Sequence, residues 1–255
     1  MGEKKKAYLI DMDGVLVFGT KPIPGAVEFI ERLAAGGYKY LILTNNSAYT
    51  PLDLQHRLAT AGIKVGLDRL YSSALATATF VQSQKPGGSA YVLGGTGLYQ
   101  ALTDVGYTLT DYNPDYVILG ESRFHSYDRL IRAAQLISAG VPFLATNSDL
   151  TGPAEEGIIP ACGAVAALLE KASGFRPYYI GKPNPLMMRL ALRYLGEHSE
   201  NAVMIGDNMH TDIRAGLESG LETVLVLTGV TRREDIEKFP YRPHRVVESL
   251  AELVP

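Results

Sequence analysis

Residues 7–16 read Ala7-Tyr8-Leu9-Ile10-Asp11-Met12-Asp13-Gly14-Val15-Leu16. A short apolar run stops on two aspartates spaced by one residue, and then a glycine. An apolar run of this length, bounded by turn residues, reads as a buried strand. Three further runs stop in the same way. Leu41-Ile42-Leu43 meets Thr44-Asn45-Asn46, and Tyr179-Ile180 meets Gly181-Lys182-Pro183. Val203-Met204-Ile205 meets Gly206-Asp207-Asn208, with Thr211-Asp212 soon after. Helix-like segments separate the runs. Residues 24–35 have Pro24 near the first turn and Gly36-Gly37 beyond the last, and Thr50-Pro51 opens a segment that Gly62 ends. Residues 211–219 read as another helix. The alternation continues to residue 227 and implies a parallel sheet covered on both faces, an α/β fold.

Ligands of open parallel sheets bind beyond the carboxyl ends of the strands. If the four strands are neighbours, Asp11, Asp13, Thr44, Lys182, Asp207 and Asp212 converge on one site. Carboxylates within about 4 Å repel one another, so a cation or shared protons must compensate. Oxygen donors alone, with no thiolate and no histidine pair, select a hard ion such as Mg²⁺. A lysine in the cluster adds a charge suited to phosphate oxygens. Phosphate-monoester hydrolysis is among the slowest uncatalysed reactions, with accelerations of up to ~10²¹-fold. A carboxylate nucleophile divides it into two easier steps through an aspartyl-phosphate.

The stretch Asp11–Leu16 resembles the first motif of the haloacid dehalogenase-like phosphatases. Thr44, Lys182 and Gly206-Asp207…Asp212 are similar to their second, third and fourth motifs, in order. Leu43–Asn46, Ala145-Thr146-Asn147-Ser148-Asp149, Pro160–Ala164 and Gly181-Lys182-Pro183 resemble the NagD-like, 4-nitrophenylphosphatase-like branch. The resemblance implies a Rossmann-like parallel-sheet core, residues 1–74 and 182–255, with an α/β cap domain, 75–181, inserted between its halves. It implies Asp11 as nucleophile and Asp13 as general acid and base. Asp11, the Asp13 carbonyl and Asp207 would hold Mg²⁺, with Asp212 supporting that shell. The Thr44 hydroxyl and Asn45 amide would bind the phosphoryl oxygens, with Asn46 and Asn208 nearby, and Lys182 would offset negative charge. A substrate-selecting loop is expected over residues 147–160, with Asn147 and Asp149 nearest the substrate.

The expected activity is Mg²⁺-dependent hydrolysis of small phosphomonoesters: nucleoside monophosphates or sugar phosphates, with aryl phosphates accepted in vitro. Two alternatives stand beside it. One is a phosphotransferase or mutase of the same superfamily. The other is a non-catalytic protein that binds a phosphorylated metabolite.

Composition limits the partners. The 255 residues carry a net charge of −3, with 46% hydrophobic and 20% charged residues. That composition excludes wholesale disorder and disfavours a nucleic-acid polymer as partner. The longest apolar stretch, residues 158–169, is shorter than the ~20 residues of a membrane span, and Pro160 and Gly163 interrupt it. No signal-peptide core follows the Lys4–Lys6 run, which reads as a solvated end. One cysteine, Cys162, permits no disulfide within the chain and fits a reducing compartment. The expected setting is the cytoplasm, with a small phosphorylated metabolite as partner, no membrane, and a homodimer as the candidate assembly.

Other features read as structural. Gly94-Gly95-Thr96-Gly97 lies between a strand and a helix but lacks the third glycine of a dinucleotide loop, so it reads as a tight turn. Cys162 precedes a helix with no histidine near it in sequence, which points to packing. His56, His125, His198, His210 and His244 are scattered without ligand spacing.

Overall fold

The computed structural model describes residues 6–152 and 158–255. Lys4 and Lys5 of the expected solvated end, and residues 153–157 of the expected selecting loop, lie outside the described residues. The chain forms two compact units. One comprises residues 1–44, 51–71 and 182–255, and the other residues 45–50 and 72–181.

The first unit is built on a six-stranded sheet. Its order is Arg245–Val247, Glu222–Val226, Ala202–Gly206, Ala7–Asp11, Tyr40–Thr44, Leu70–Ser72. Ala7–Asp11 pairs in parallel with Ala202–Gly206 on one side and Tyr40–Thr44 on the other. Ile10 faces Ile205 and Ile42, so Asp11, Thr44 and Asp207 emerge from the same edge of three adjacent strands. The three central strands, Ala202–Gly206, Ala7–Asp11 and Tyr40–Thr44, are buried throughout, as a sheet covered on both faces requires. Alternation sends Tyr8, Ile10, Tyr40, Ile42, Val203 and Ile205 into one cluster with Phe29, Ile30 and Leu33. Phe29, Ile30 and Leu33 come with Ala26 from one stripe of the helix Ala26–Ala35, at the spacing of a 3.6-residue turn. That helix starts two residues later than its proline suggests, because Gly25 is left-handed (φ 83°). A Cβ on Gly25 would stand 2.3 Å from the Ala251 amide nitrogen.

The second unit has a five-stranded, all-parallel sheet ordered Tyr178–Tyr179, Phe143–Ala145, Tyr116–Leu119, Ser89–Leu93, Thr108–Leu109. Its strands feed two cores by the two-residue period of a pleated strand. Ala90, Val92 and Ile118 enter one cluster; Tyr91, Leu93, Val117 and Leu119 enter the other. The segment 45–50 belongs here because its polar groups are bonded here. Ser47 Oγ lies 2.9 Å from Thr146 Oγ1 and accepts the Glu121 amide at 2.8 Å. The Gly97 amide donates to the Ala48 carbonyl at 2.9 Å. Among the described residues, no helix is long and apolar enough to cross a membrane.

Candidate active site

At the carboxyl edge of the first sheet, Lys182 joins two carboxylates. Its Nζ donates to Asp11 Oδ1 at 2.5 Å and to Asp212 Oδ1 at 2.7 Å, and all three residues are buried. Asp11, Asp207 and Asp212 offer carboxylate oxygens that all lie within 4.8 Å of one another. Lys182 comes from the turn that enters the helix Pro185–Leu195, which Asn184 caps by accepting the Leu186 amide.

Asp212 reaches the cluster through a wide turn. Residues 209–213 form a π-helical turn, with the Ile213 amide donating to the Asn208 carbonyl, five residues back. Such turns often mark functional sites. The expected helix over residues 211–219 is therefore a π turn followed by a short α-helix, Arg214–Glu218. Gly206 makes room for it, because a Cβ there would stand 2.1 Å from Asp212 Cβ.

The electrostatics of the cluster are those of three carboxylates against one ammonium. Burial pushes the Asp11 carboxyl well up; Lys182 opposes this, while Asp212 and Asp207 add to it. Burial, then the Asp212 charge, pushes Asp207 up to about 7. Burial alone would lower the Lys182 ammonium, but Asp11 and Asp212 outweigh it and hold it raised. Three carboxylates and one ammonium in a buried group call for compensation by bound protons or by a cation.

The surrounding backbone leaves space for bare oxygen donors. A Cβ on Gly14 would stand 2.5 Å from Asp207 Oδ2, and one on Gly229 only 1.9 Å away. The residues fit a divalent hard cation held by oxygen.

A strap holds Asp207. Its Oδ2 accepts the Val230 amide at 2.7 Å, and its carbonyl accepts the Thr231 amide at 3.0 Å. Thr231 Oγ1 accepts the Met209 amide at 3.0 Å, and Thr228 Oγ1 donates to the Gly14 carbonyl at 2.6 Å. Sequence reasoning missed this strap. Its signal was present, since Leu225-Val226-Leu227 also stops abruptly, on Thr228-Gly229.

Asp13 sits apart from the three clustered carboxylates. Its Oδ1 accepts Arg57 Nη2 at 2.5 Å. Arg57 carried no sequence signal, because an arginine on an amphipathic helix is ordinarily solvated. Thr44 is buried at the end of its strand. Asn208 Oδ1 caps the π turn by accepting the His210 amide at 2.9 Å. Asn46 Oδ1 closes a local turn on the Ala48 amide at 2.9 Å.

The second unit brings together Asn45, Asn147 and Asp149. Asn45 Nδ2 donates to Asp149 Oδ2 at 2.9 Å, and Asn147 Nδ2 donates to the Asn45 carbonyl at 2.8 Å. The Asp149 amide donates to Asn147 Oδ1 at 3.0 Å. Glu121, which the sequence did not single out, accepts from Asn147 Nδ2 at 3.1 Å.

The structural readings of the remaining features agree with their surroundings. Gly97 packs where a Cβ would stand 2.1 Å from the Tyr49 carbonyl oxygen, so close packing explains the glycine. Cys162 is buried against Thr146 and Leu119, and burial pushes its thiol up to about 12. His210 is exposed and packs edge-on against Phe239.

Two family models match this chain. Residues 8–108 match the haloacid dehalogenase-like hydrolase model, and residues 179–253 match an HAD-hydrolase-like model. The chain belongs to the haloacid dehalogenase-like hydrolases. It is 50% identical to a dihydroxyacetone phosphatase of Corynebacterium glutamicum over 97% of this chain and 90% of that protein. It is 44% identical to the ribonucleotide monophosphatase NagD of Escherichia coli, over 97% and 98% of the two chains. The solved NagD structure superposes with a TM-score of 0.94, covering 99% of each chain. A p-nitrophenyl phosphatase from Archaeoglobus fulgidus superposes at 0.92, with 36% identity and 98% coverage of each. The resemblance read from the motifs thus extends over nearly the whole chain. This haloacid dehalogenase-like protein is an enzyme, a phosphomonoester hydrolase with an α/β parallel-sheet core.

Proposed function

We propose that the chain is a Mg²⁺-dependent phosphatase that hydrolyses small phosphomonoesters through an aspartyl-phosphate on Asp11. One observation carries the reading: the Lys182 ammonium bridges Asp11 and Asp212 at 2.5 and 2.7 Å, beside Asp207, at the carboxyl edge of the first sheet. Asp11 attacks phosphorus and takes the phosphoryl group. Asp13 gives a proton to the leaving oxygen and then takes one from the attacking water. Thr44 and the Asn45 amide receive the phosphoryl oxygens. Lys182 offsets the charge that gathers on Asp11 and the phosphoryl group. Asp11, Asp207 and the Asp13 carbonyl would hold Mg²⁺, with Asp212 orienting them. When bound, the ion supplies positive charge against the phosphate oxygens and keeps Asp11 ionised.

The substrate class is a small phosphorylated metabolite, either a nucleoside monophosphate or a sugar or triose phosphate. Relatives named for dihydroxyacetone phosphate and for ribonucleotide monophosphates span that range. In this reading residues 1–44, 51–71 and 182–255 serve as the catalytic core and 45–50 and 72–181 as the cap, with Asn147 and Asp149 on the substrate-selecting loop. The single cysteine supports a cytoplasmic setting.

The test is turnover of 4-nitrophenyl phosphate by the intact chain and by Asp11→Asn. Mg²⁺-dependent release that a chelator stops and that Asp11→Asn abolishes is the expected result. Full turnover by Asp11→Asn would refute the reading.

A further inference from the structure

Arg57 makes two directed contacts from one planar group. Its Nη2 donates to Asp13 Oδ1 at 2.5 Å, and its Nε donates to the Gly19 carbonyl at 2.9 Å. Gly19 lies in the left-handed turn (φ 62°) between the short strands Val17–Phe18 and Lys21–Pro22. Those strands pair antiparallel, and the hairpin begins four residues after Asp13, which itself bridges to Val17. Arg57 comes from elsewhere in the chain, the last turn of the helix Pro51–Thr60.

The pair is too exposed to serve mainly as a fastening. The Asp13 side chain is 36% exposed and that of Arg57 22%. Ion pairs so open to water contribute little to stability. They can still fix direction, because a guanidinium presents its donors in a rigid plane and a lysine presents a single point charge. Asp13 needs such a guide. Its carboxyl stands apart from the buried Asp11, Asp207 and Asp212 group, whose partners fix one another. A displacement of about 1 Å in a reacting group can cost on the order of 100-fold in rate.

We propose that Arg57 is a positioning residue for the proton transfer assigned to Asp13, holding its carboxyl in register with the Gly19 hairpin. The inference rests on the phosphatase reading above. Arg57 touches no substrate atom in this role; it acts through Asp13. The proton moves from Asp13 to the leaving oxygen as the bond from that oxygen to phosphorus breaks and the bond to Asp11 forms. An alkoxide needs this proton, whereas 4-nitrophenolate leaves without it. Loss of Arg57 therefore discriminates between leaving groups.

The experiment compares kcat/KM for dihydroxyacetone phosphate and 4-nitrophenyl phosphate in the unaltered chain, Arg57→Ala and Arg57→Lys. This ratio reports phosphoryl transfer without the later hydrolysis step. Arg57→Ala is expected to lose about tenfold or more on the alkyl phosphate, carried by kcat, and less than about threefold on the aryl phosphate. Arg57→Lys is expected to fail likewise. Guanidinium ion at low, non-denaturing concentration is expected to restore part of the alkyl-phosphate rate to Arg57→Ala. Mg²⁺ affinity measured by calorimetry, without substrate, should match the unaltered chain. Equal losses on both substrates, no loss on either, or a fall in Mg²⁺ affinity parallel to activity would overturn the proposal. Failure of the phosphatase reading looks different: the unaltered chain would turn over neither substrate, and both proposals would fall.

Discussion

Gly229 lies so close to Asp207 that a Cβ built on it would stand 1.9 Å from the carboxylate Oδ2. The neighbouring Val230 amide donates to that same oxygen at 2.7 Å. The strap therefore sets the direction of a proposed metal ligand through its backbone, and only a glycine permits the approach. Gly229→Ala must push either the carboxylate or the strap aside. The expected outcome is a loss of Mg²⁺ affinity of roughly 10–100-fold, the range for groups that orient metal ligands. Titration calorimetry of the folded variant checks this. Unchanged affinity would mean that the strap only covers the site.

Lys182 makes the opposite kind of contribution, through charge. It is buried between Asp11 and Asp212, so Lys182→Ala leaves two buried carboxylates facing each other. Breaking one side of a buried pair costs about 3–5 kcal/mol. For a chain of this size that is a Tm lower by on the order of 10 °C. Added Mg²⁺ should recover part of the loss, because the cation offsets the same charge. Thermal unfolding with and without Mg²⁺ measures both effects, and a Tm unmoved by the substitution would contradict this reading of the cluster.

Ser47 anchors the second unit. Its hydroxyl meets Thr146 Oγ1 at 2.9 Å and the Glu121 amide at 2.8 Å, and the residue is fully buried. Ser47→Ala leaves that amide without this acceptor, at a cost of about 1–3 kcal/mol. Denaturant unfolding should show the midpoint shift.

Cys162 gives a pH dependence with a definite sign. Burial raises its thiol from the usual 9.0 to about 12 in the folded chain. The folded state therefore binds the proton more tightly than the unfolded one. The stability linked to this group is complete below pH 9 and is lost as pH rises toward 12. The slope is at most about 1.4 kcal/mol per pH unit. Alkylation by iodoacetamide at pH 8 should be slow in the folded chain and prompt in denaturant. Rapid labelling of the folded chain would contradict the burial.

How far the sequence reaches differs from residue to residue. Asp11, Thr44 and Asp207 were legible because each ends a buried apolar run, and parallel pairing brings those ends to one edge. Lys182 bears the same strand-end signal, but the expected fourth neighbouring strand, Tyr178–Tyr179, pairs with Phe143–Ala145 in the second unit's sheet, so strand pairing does not explain its place beside Asp11. The π turn that carries Asp212 was not legible, because it is one wide turn of five residues, too short a stretch to show a changed apolar period. The strap shows a different shortfall: Thr228-Gly229 bears the strand-end signal, but neither residue type suggests chemistry alone. Arg57 was invisible because its meaning depends on the hairpin it touches. The attachment of residues 45–50 to the second unit lies in Ser47 and Ala48 bonds to positions 49 to 99 residues away. No local pattern records such pairings.

The central claim is that Asp11 takes the phosphoryl group. The direct measurement is acid quenching of the chain during turnover of 4-nitrophenyl phosphate with Mg²⁺, then peptide mapping by mass spectrometry. The expected result is one phosphoryl group on the peptide that contains Asp11, absent after Asp11→Asn. A phosphoryl group on any other residue, or full turnover by Asp11→Asn with none trapped, would contradict it.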